Sequence, residues 1–293
     1  MSLLKKLLQK LFNSKEEAVP IIEKRDLVDD YYGEVLAATK EQKLSSDNVS
    51  HYYDTWTERY LEGFGDTFQS QRTDKLDELF AYIIEQAEIK DGQRILDAGC
   101  GVAGPATRIA QQKKVQIEGI TISEVQHKIA QKNIKEKGFE KQINVTKGDY
   151  HFLDKYYEPN SFDAIIFLES LVHSDHPHLV LESAFKVLKP NGVLYVKDLF
   201  RYVSPDKEEN EHVKRVIRNV NKYFALRIKP KKWFIDLMEE KGFEFLWEKE
   251  ITIDTNHNIG NTFVADNNLD IYEGRVVTFL EWLEMKARKK QAK

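Results

Sequence analysis

Hydrophobic residues in this chain recur with two periods, and the places where one period gives way to the other mark its elements. Leu3, Leu4, Leu7, Leu8, Leu11 and Phe12 form one helical stripe opposite Lys5, Lys6, Gln9 and Lys10. That pattern predicts a basic amphipathic helix over residues 1–15. Residues 19–50 are charged and weakly periodic and read as a helical arm, with Ser45, Ser46 and Asp47 as N-cap candidates for the next helix. Tyr52, Tyr53, Trp56 and Tyr60 recur at helical spacing and mostly share one face. Leu76, Leu79, Phe80, Ile83, Ile84 and Ala87 make residues 74–88 an amphipathic helix.

From there strands and helices alternate. Ile95 and Leu96 open a short buried strand, and further strands are predicted over 115–120, 143–146, 162–168 and 192–198. Helices are expected from Pro105, over 124–137 and over 177–188. The alternation implies an α/β fold with a doubly wound, mainly parallel sheet. The polar stretch 201–230 carries Val213, Val216, Ile217, Val220 and Phe224 at helical spacing and reads as a substrate cover. A helix over 233–240, a long strand over 243–253 and a closing helix over 275–290 complete the prediction. Thr262 to Ala265 is the one candidate for a last strand.

Composition narrows the class. A chain of 293 residues suits one α/β domain with extensions, and a net charge of −4 gives no reason to expect a nucleic-acid surface. The single cysteine, Cys100, excludes an internal disulfide, and no apolar run approaches the ~20 residues of a membrane span. With no secretory signal in sight, a cytoplasmic protein is expected. The helix over 1–15 leaves two readings open, peripheral contact with an anionic membrane surface or a lid on its own domain.

The chemistry gathers at Asp97-Ala-Gly99-Cys100-Gly101-Val-Ala103-Gly104, between the first strand and its helix. Glycines there allow a tight turn and close approach of a ligand, and the following helix offers unpaired N–H groups. A dinucleotide site needs an acid at the end of the second strand, where Thr121 stands instead. Ligands of such sheets lie beyond the carboxyl ends of the strands. The other positions of interest are therefore Thr121 to Gln126, Gly148 to Tyr150, and Glu169 to His173. Asp149 either accepts from an adenine amine, with Tyr150 or Phe152 on the ring, or simply caps a helix.

On these residues the chain resembles the class I S-adenosylmethionine (SAM) methyltransferases. Within them it is similar to the branch holding sterol and isoprenoid diphosphate C-methyltransferases and cyclopropane-fatty-acid synthases. The likeness spans about residues 50–200. It rests on Tyr52-Tyr53-Asp54 to Tyr60 with Gly63-Phe64-Gly65, on the glycine loop, on Thr121, Ser123 and Gln126, and on Glu169 to His173. The resemblance implies a seven-stranded Rossmann-like methyltransferase sheet under an N-terminal helical cap, with residues 1–45 as arm, 46–93 as cap and 94–293 as core. It implies SAM as cofactor, with Tyr53 on its methionine part, Asp97, Gly99, Cys100 and Gly101 around it, and Thr121, Ile122, Gln126, Asp149 and Tyr150 toward ribose and adenine. Tyr52, Trp56 and Tyr60 would line a substrate chamber, and Glu169 would face both cofactor and substrate. Ala103 stands where the family has a glycine and should be tolerated if its φ is negative.

Methyl transfer to an alkene carbon creates a carbocation that must lose a proton, so Glu169 is the expected base. His173 either relays that proton or holds Glu169 in place. The acceptor is expected to be a small or lipid-like isoprenoid, with Mg2+ involved only for a diphosphate, and a homo-oligomer remains open. Two other functions share the same motifs: N- or O-methylation of a small metabolite, and a non-catalytic SAM-binding scaffold.

Overall fold

Strands that are apolar on both faces must be covered on both, and the core strands of this chain are built that way. In the computed structural model, residues 46–70, 73–250, 269–273 and 275–291 are described. The stretches expected at 1–45 and at Thr262 to Ala265 lie outside them. Five strands, β1 (Arg94–Ala98), β2 (Gln116–Thr121), β3 (Ile143–Lys147), β4 (Phe162–Leu168) and β5 (Leu188–Arg201), run parallel. With β6 (Phe243–Glu250) and β9 (Leu280–Lys289) they form one seven-stranded sheet in the order β3-β2-β1-β4-β5-β9-β6. A separate hairpin pairs β7 (Leu269–Tyr272) with β8 (Arg275–Thr278).

The period of two decides the two cores. Leu96, Ile165, Phe167, Leu194 and Val196 point to one face, where helices α5 (Pro177–Val187) and α7 (Lys231–Glu240) add Leu181, Ala184, Phe234 and Met238. Their neighbours Ile95, Ala164, Ile166, Val193 and Tyr195 point to the other. That face is covered by α2 (Leu76–Gln86), α3 (Gly104–Gln112) and α4 (Glu124–Glu136). Helix α6 (Lys207–Phe224), a helix where helical spacing predicted one, packs Val213, Val216 and Ile217 into a third cluster with Leu199, Phe279 and Trp282.

The expected closing helix is not present. Residues 275–278 and 280–289 are strands, and β9 is the single antiparallel member of the sheet, paired with β5 from Val193↔Arg288 to Arg201↔Leu280 and with β6 on its other side. Leu, Glu, Met, Lys, Ala and Arg are good helix formers, but a slot between two strands offers ladder hydrogen bonds and burial on both faces, which outweigh propensity. Even Glu284 is fully buried there, accepting from the hydroxyls of Tyr195 (2.5 Å) and Tyr82 and facing Lys249.

The sheet order reverses between β1 and β4, so the crevice at their carboxyl ends is the expected ligand site. Helix α1 (Ser46–Phe64) lies over that end, pinned by side chains to successive loops. Ser46 Oγ donates to Asp149 Oδ2 (2.5 Å) and Ser50 Oγ to the Ile122 carbonyl (3.2 Å). Asp54 Oδ1 accepts from Ser123 Oγ (2.5 Å) and from the Val125 N–H (3.2 Å), which docks α1 on the first turn of α4. After the helix, Asp66 is held by Lys137 (2.6 Å) and Arg108 (3.3 Å).

Candidate active site

The glycine loop shows how closely the cap is seated. A Cβ on Gly104 would lie 1.8 Å from the Asp66 carbonyl oxygen, so no larger residue fits while the cap is docked. Ala103 does not meet the condition of a negative φ: it has φ +64. The left-handed region costs a non-glycine residue about 1–2 kcal/mol, and the loop keeps that conformation because Ala103 is fully buried and donates its N–H to the Cys100 carbonyl. Gly101 has φ +55 and only the Phe68 ring near its missing side chain, at 3.6 Å.

Beside the loop is a cleft, open to solvent, that encloses about 810 Å3. Its walls are Ser46, Val49 and Tyr53 from α1, Asp66, Phe68 and Gln69 from the next segment, and Gly99 to Val102 with Pro105. Thr121, Ile122, Gln126, Gly148 to His151, Leu168 to Ser170 and His173 complete it. The structure therefore brings together Tyr53, Gly99, Cys100, Gly101, Thr121, Ile122, Gln126, Asp149, Tyr150, Glu169 and His173, which are dispersed in sequence. Tyr52, Trp56 and Tyr60 do not line this cleft. Tyr52 and Tyr60 pack behind Tyr53, with ring centroids 5.3 and 5.9 Å from it, and Trp56 is exposed. Tyr52 and Tyr60 are thus aromatic packing around Tyr53, which alone of these four residues lines the cleft.

Asp97 is also absent from the lining. It is buried beneath the loop with Oδ2 unpartnered among the described residues, and burial pushes its carboxyl up to about 7. Asp149 lines the cleft and does double duty: it caps the turn at 150–155 through the His151 N–H and receives Ser46. Burial alone would raise its pKa, but the contacts with His151 and Ser46 hold it below the usual carboxylate range. Thr121 Oγ1 donates to Gln126 Oε1 (2.8 Å), which fixes the Gln126 amide at the mouth of α4.

Glu169 sits at the end of β4 with φ +56, a left-handed backbone. Its Oε1 receives the buried Lys197 ammonium at 2.5 Å and its Oε2 the Ser70 N–H at 2.6 Å. His173 is not its partner. Nδ1 of His173 donates to the Ala225 carbonyl (2.9 Å), so Nε2 is the acceptor for the Tyr53 hydroxyl (2.8 Å). Burial lowers His173 to about 4, leaving it neutral near pH 7. It therefore anchors Tyr53 and neither relays a proton to Glu169 nor holds it. Lys197, Phe68, Gln69 and Ser70 were not singled out by sequence reasoning, although Lys197 is signalled as a charge directly after the apolar run Val193 to Val196. Among the described residues no group of three or more His, Cys, Asp or Glu is placed to hold a metal.

A family model described as a methyltransferase domain matches residues 89–252. The chain belongs to that methyltransferase family. It is 33% identical over 217 residues to 24-methylenesterol C-methyltransferase 3 of Arabidopsis thaliana, covering 70% of this chain and 58% of that protein. It is 32% identical over 171 residues to a sterol 24-C-methyltransferase of Gibberella zeae, covering 56% of this chain but 44% of that protein. The chain thus spans about half the length of these relatives. Among solved structures, the [4+2]-cyclase SpnF superposes with TM-score 0.65 at 24% identity, covering 84% of this chain and 97% of that one. A geranyl diphosphate methyltransferase bound to geranyl diphosphate and sinefungin gives TM-score 0.65 at 14% identity, covering 83% and 98%. At these identities the structures establish the fold, the seven-stranded methyltransferase sheet.

The site fits the cofactor of that family, SAM. In the glycine loop Gly101 leaves space where a side chain would stand, the ends of β2 and β3 offer hydroxyl, amide and carboxylate groups for a nucleoside, and a buried amide at Gln69 has no partner among the described residues.

Proposed function

We propose that this methyltransferase transfers the SAM methyl group to an alkene carbon of an isoprenoid, a prenyl diphosphate or sterol-like molecule. The observation that carries the reading is one carboxylate, Glu169, set among Tyr53, Phe68, Leu168 and Tyr150 in the cleft beside the glycine loop. The likeness to sterol C-methyltransferases supports the same substrate class.

Bound SAM supplies an electrophilic methyl on a sulfonium. Gly101 leaves room for the cofactor against the backbone and Gly99 lines the same cleft, while Thr121, Gln126 and Asp149 are available to its ribose and adenine. Tyr53, held by His173, and Phe68 offer aromatic faces that attract a cation by about 0.5–2 kcal/mol each. Helix α1 is pinned over the strand ends, and in this reading alignment of acceptor and methyl supplies most of the rate. Glu169 then accepts the proton that a methylated alkene must shed. Each carboxylate oxygen carries two lone pairs, and the contacts with Lys197 and Ser70 take one on each oxygen. Their further effect is to lock its orientation. No helix among the described residues is long and apolar enough to cross a membrane; in this reading residues 1–15 bring the enzyme to a lipid surface.

The test is incubation with labelled SAM and a panel of prenyl diphosphates, sterols, unsaturated phospholipids and amines, with products weighed by mass spectrometry. Glu169→Gln alone would strand the Lys197 ammonium in the interior, which costs roughly 3–5 kcal/mol. The informative variant is Glu169→Gln with Lys197→Met. Its turnover on the alkene is expected to fall by about 10²–10⁴ with cofactor affinity little changed. An amine or hydroxyl as best acceptor, with near-normal turnover in the double variant, would replace carbon methylation by N- or O-methylation.

A further inference from the structure

A buried amide without a partner is costly, and native interiors tolerate one mainly where something else completes it. Gln69 is 1% exposed and lines the cleft, yet neither its Nε2 nor its Oε1 finds a hydrogen-bond partner among the described residues. No other cleft-lining side chain has an unpartnered buried polar atom among the described residues. Its neighbours fix its place. Phe68 lies 3.6 Å from where a Gly101 side chain would begin, and the Ser70 N–H holds Glu169 at 2.6 Å. Gln69 therefore stands between the glycine loop and the carboxylate.

We propose that Gln69 is the positioning residue for the α-amino-acid end of the cofactor, a role that rests on the SAM reading above. A primary amide presents two donors and an acceptor on one plane. An α-amino acid presents a carboxylate and an ammonium one carbon apart, so one amide can donate to the first and accept from the second. Charge-assisted hydrogen bonds of this kind are the stronger ones. The alternative partner, the acceptor, brings only hydrocarbon to the reacting end if it is an alkene, and would leave the amide unsatisfied. By holding the amino-acid end beside Glu169, Gln69 would orient the sulfonium toward the chamber.

Calorimetric titration of the full chain with S-adenosylhomocysteine and with 5′-methylthioadenosine, which lacks the amino-acid end, tests this directly. Gln69→Met fills similar space without hydrogen-bonding. Its affinity for S-adenosylhomocysteine should fall about 10- to 100-fold, while its affinity for methylthioadenosine stays within about twofold of wild type. Gln69→Leu gives a second apolar variant with the same expected outcome should Gln69→Met not fold. Equal losses for both ligands would make Gln69 part of the cleft wall and overturn the proposal, as would no loss for either. Wild-type protein that binds neither nucleoside would overturn the cofactor reading and the proposal with it.

Discussion

A carboxyl buried without a counter-charge makes stability depend on pH, and Asp97 is such a group. Its folded value of about 7 lies above the ordinary 3.8. Between those values the unfolded chain has released the proton and the folded chain still holds it, so stability falls as pH rises from about 4 to about 7. His173 acts in the opposite sense: with a folded value of about 4 against 6.5, it removes stability as pH falls through that window. Asp97→Asn copies the protonated carboxyl and should delete the first effect alone. In ligand-free urea titrations from pH 4 to 8, the variant is expected to gain on wild type as pH rises. Parallel curves would show that Asp97 is not protonated in the fold.

At the scale of elements, the cap helix α1 is coupled to the cofactor side by single contacts between distant side chains. Asp54 is the strongest of these, because its carboxylate serves both the Ser123 hydroxyl and the Val125 N–H at the start of α4, the helix that carries Gln126. Asp54→Ala removes two hydrogen bonds to a charged group, each contributing about 1.5–3 kcal/mol when formed away from water and less at this part-exposed position. The core strands do not depend on them. We expect S-adenosylhomocysteine to bind roughly tenfold more weakly, with the melting temperature lowered by only a few degrees. A large loss of stability with unchanged affinity would mean that the contact serves folding instead of cofactor binding.

For the whole molecule, β9 is the piece on which closure of the sheet depends. It comes last in the chain yet lies between β5 and β6, so without it those strands lose the partner they share and a face built from Leu283, Met285 and Ala287. Ending the chain after Thr278 should abolish cooperative thermal unfolding and leave an aggregating, partly helical species, because open apolar strand edges pair between molecules. Cooperative melting near the full-length temperature would show that the first five strands stand alone.

The Rossmann-like core was legible because its signals are local: apolar runs bounded by turns, glycines at Gly99 and Gly101, and Thr121 through Gln126 in one short segment. Each can be read within a few residues of itself, and each occupies the place those residues imply. The closing helix failed for the complementary reason, since a helix-forming composition at 280–289 was overruled by two strands remote in sequence. The site divides along the same line. That Glu169 and His173 share a cleft followed from the strand ends, and Tyr53 was placed there by the family resemblance, but that His173 serves Tyr53, 120 positions away, and not Glu169 was decided by packing. Glu169 finds Lys197 across 28 positions and Ser70 across 99. Sequence determined which chemical groups the chain owns and which local backbone holds them, because those depend on neighbours along the chain. Which group neutralises, orients or abandons which was left to tertiary structure, because hydrogen bonds and burial are set by distance in space.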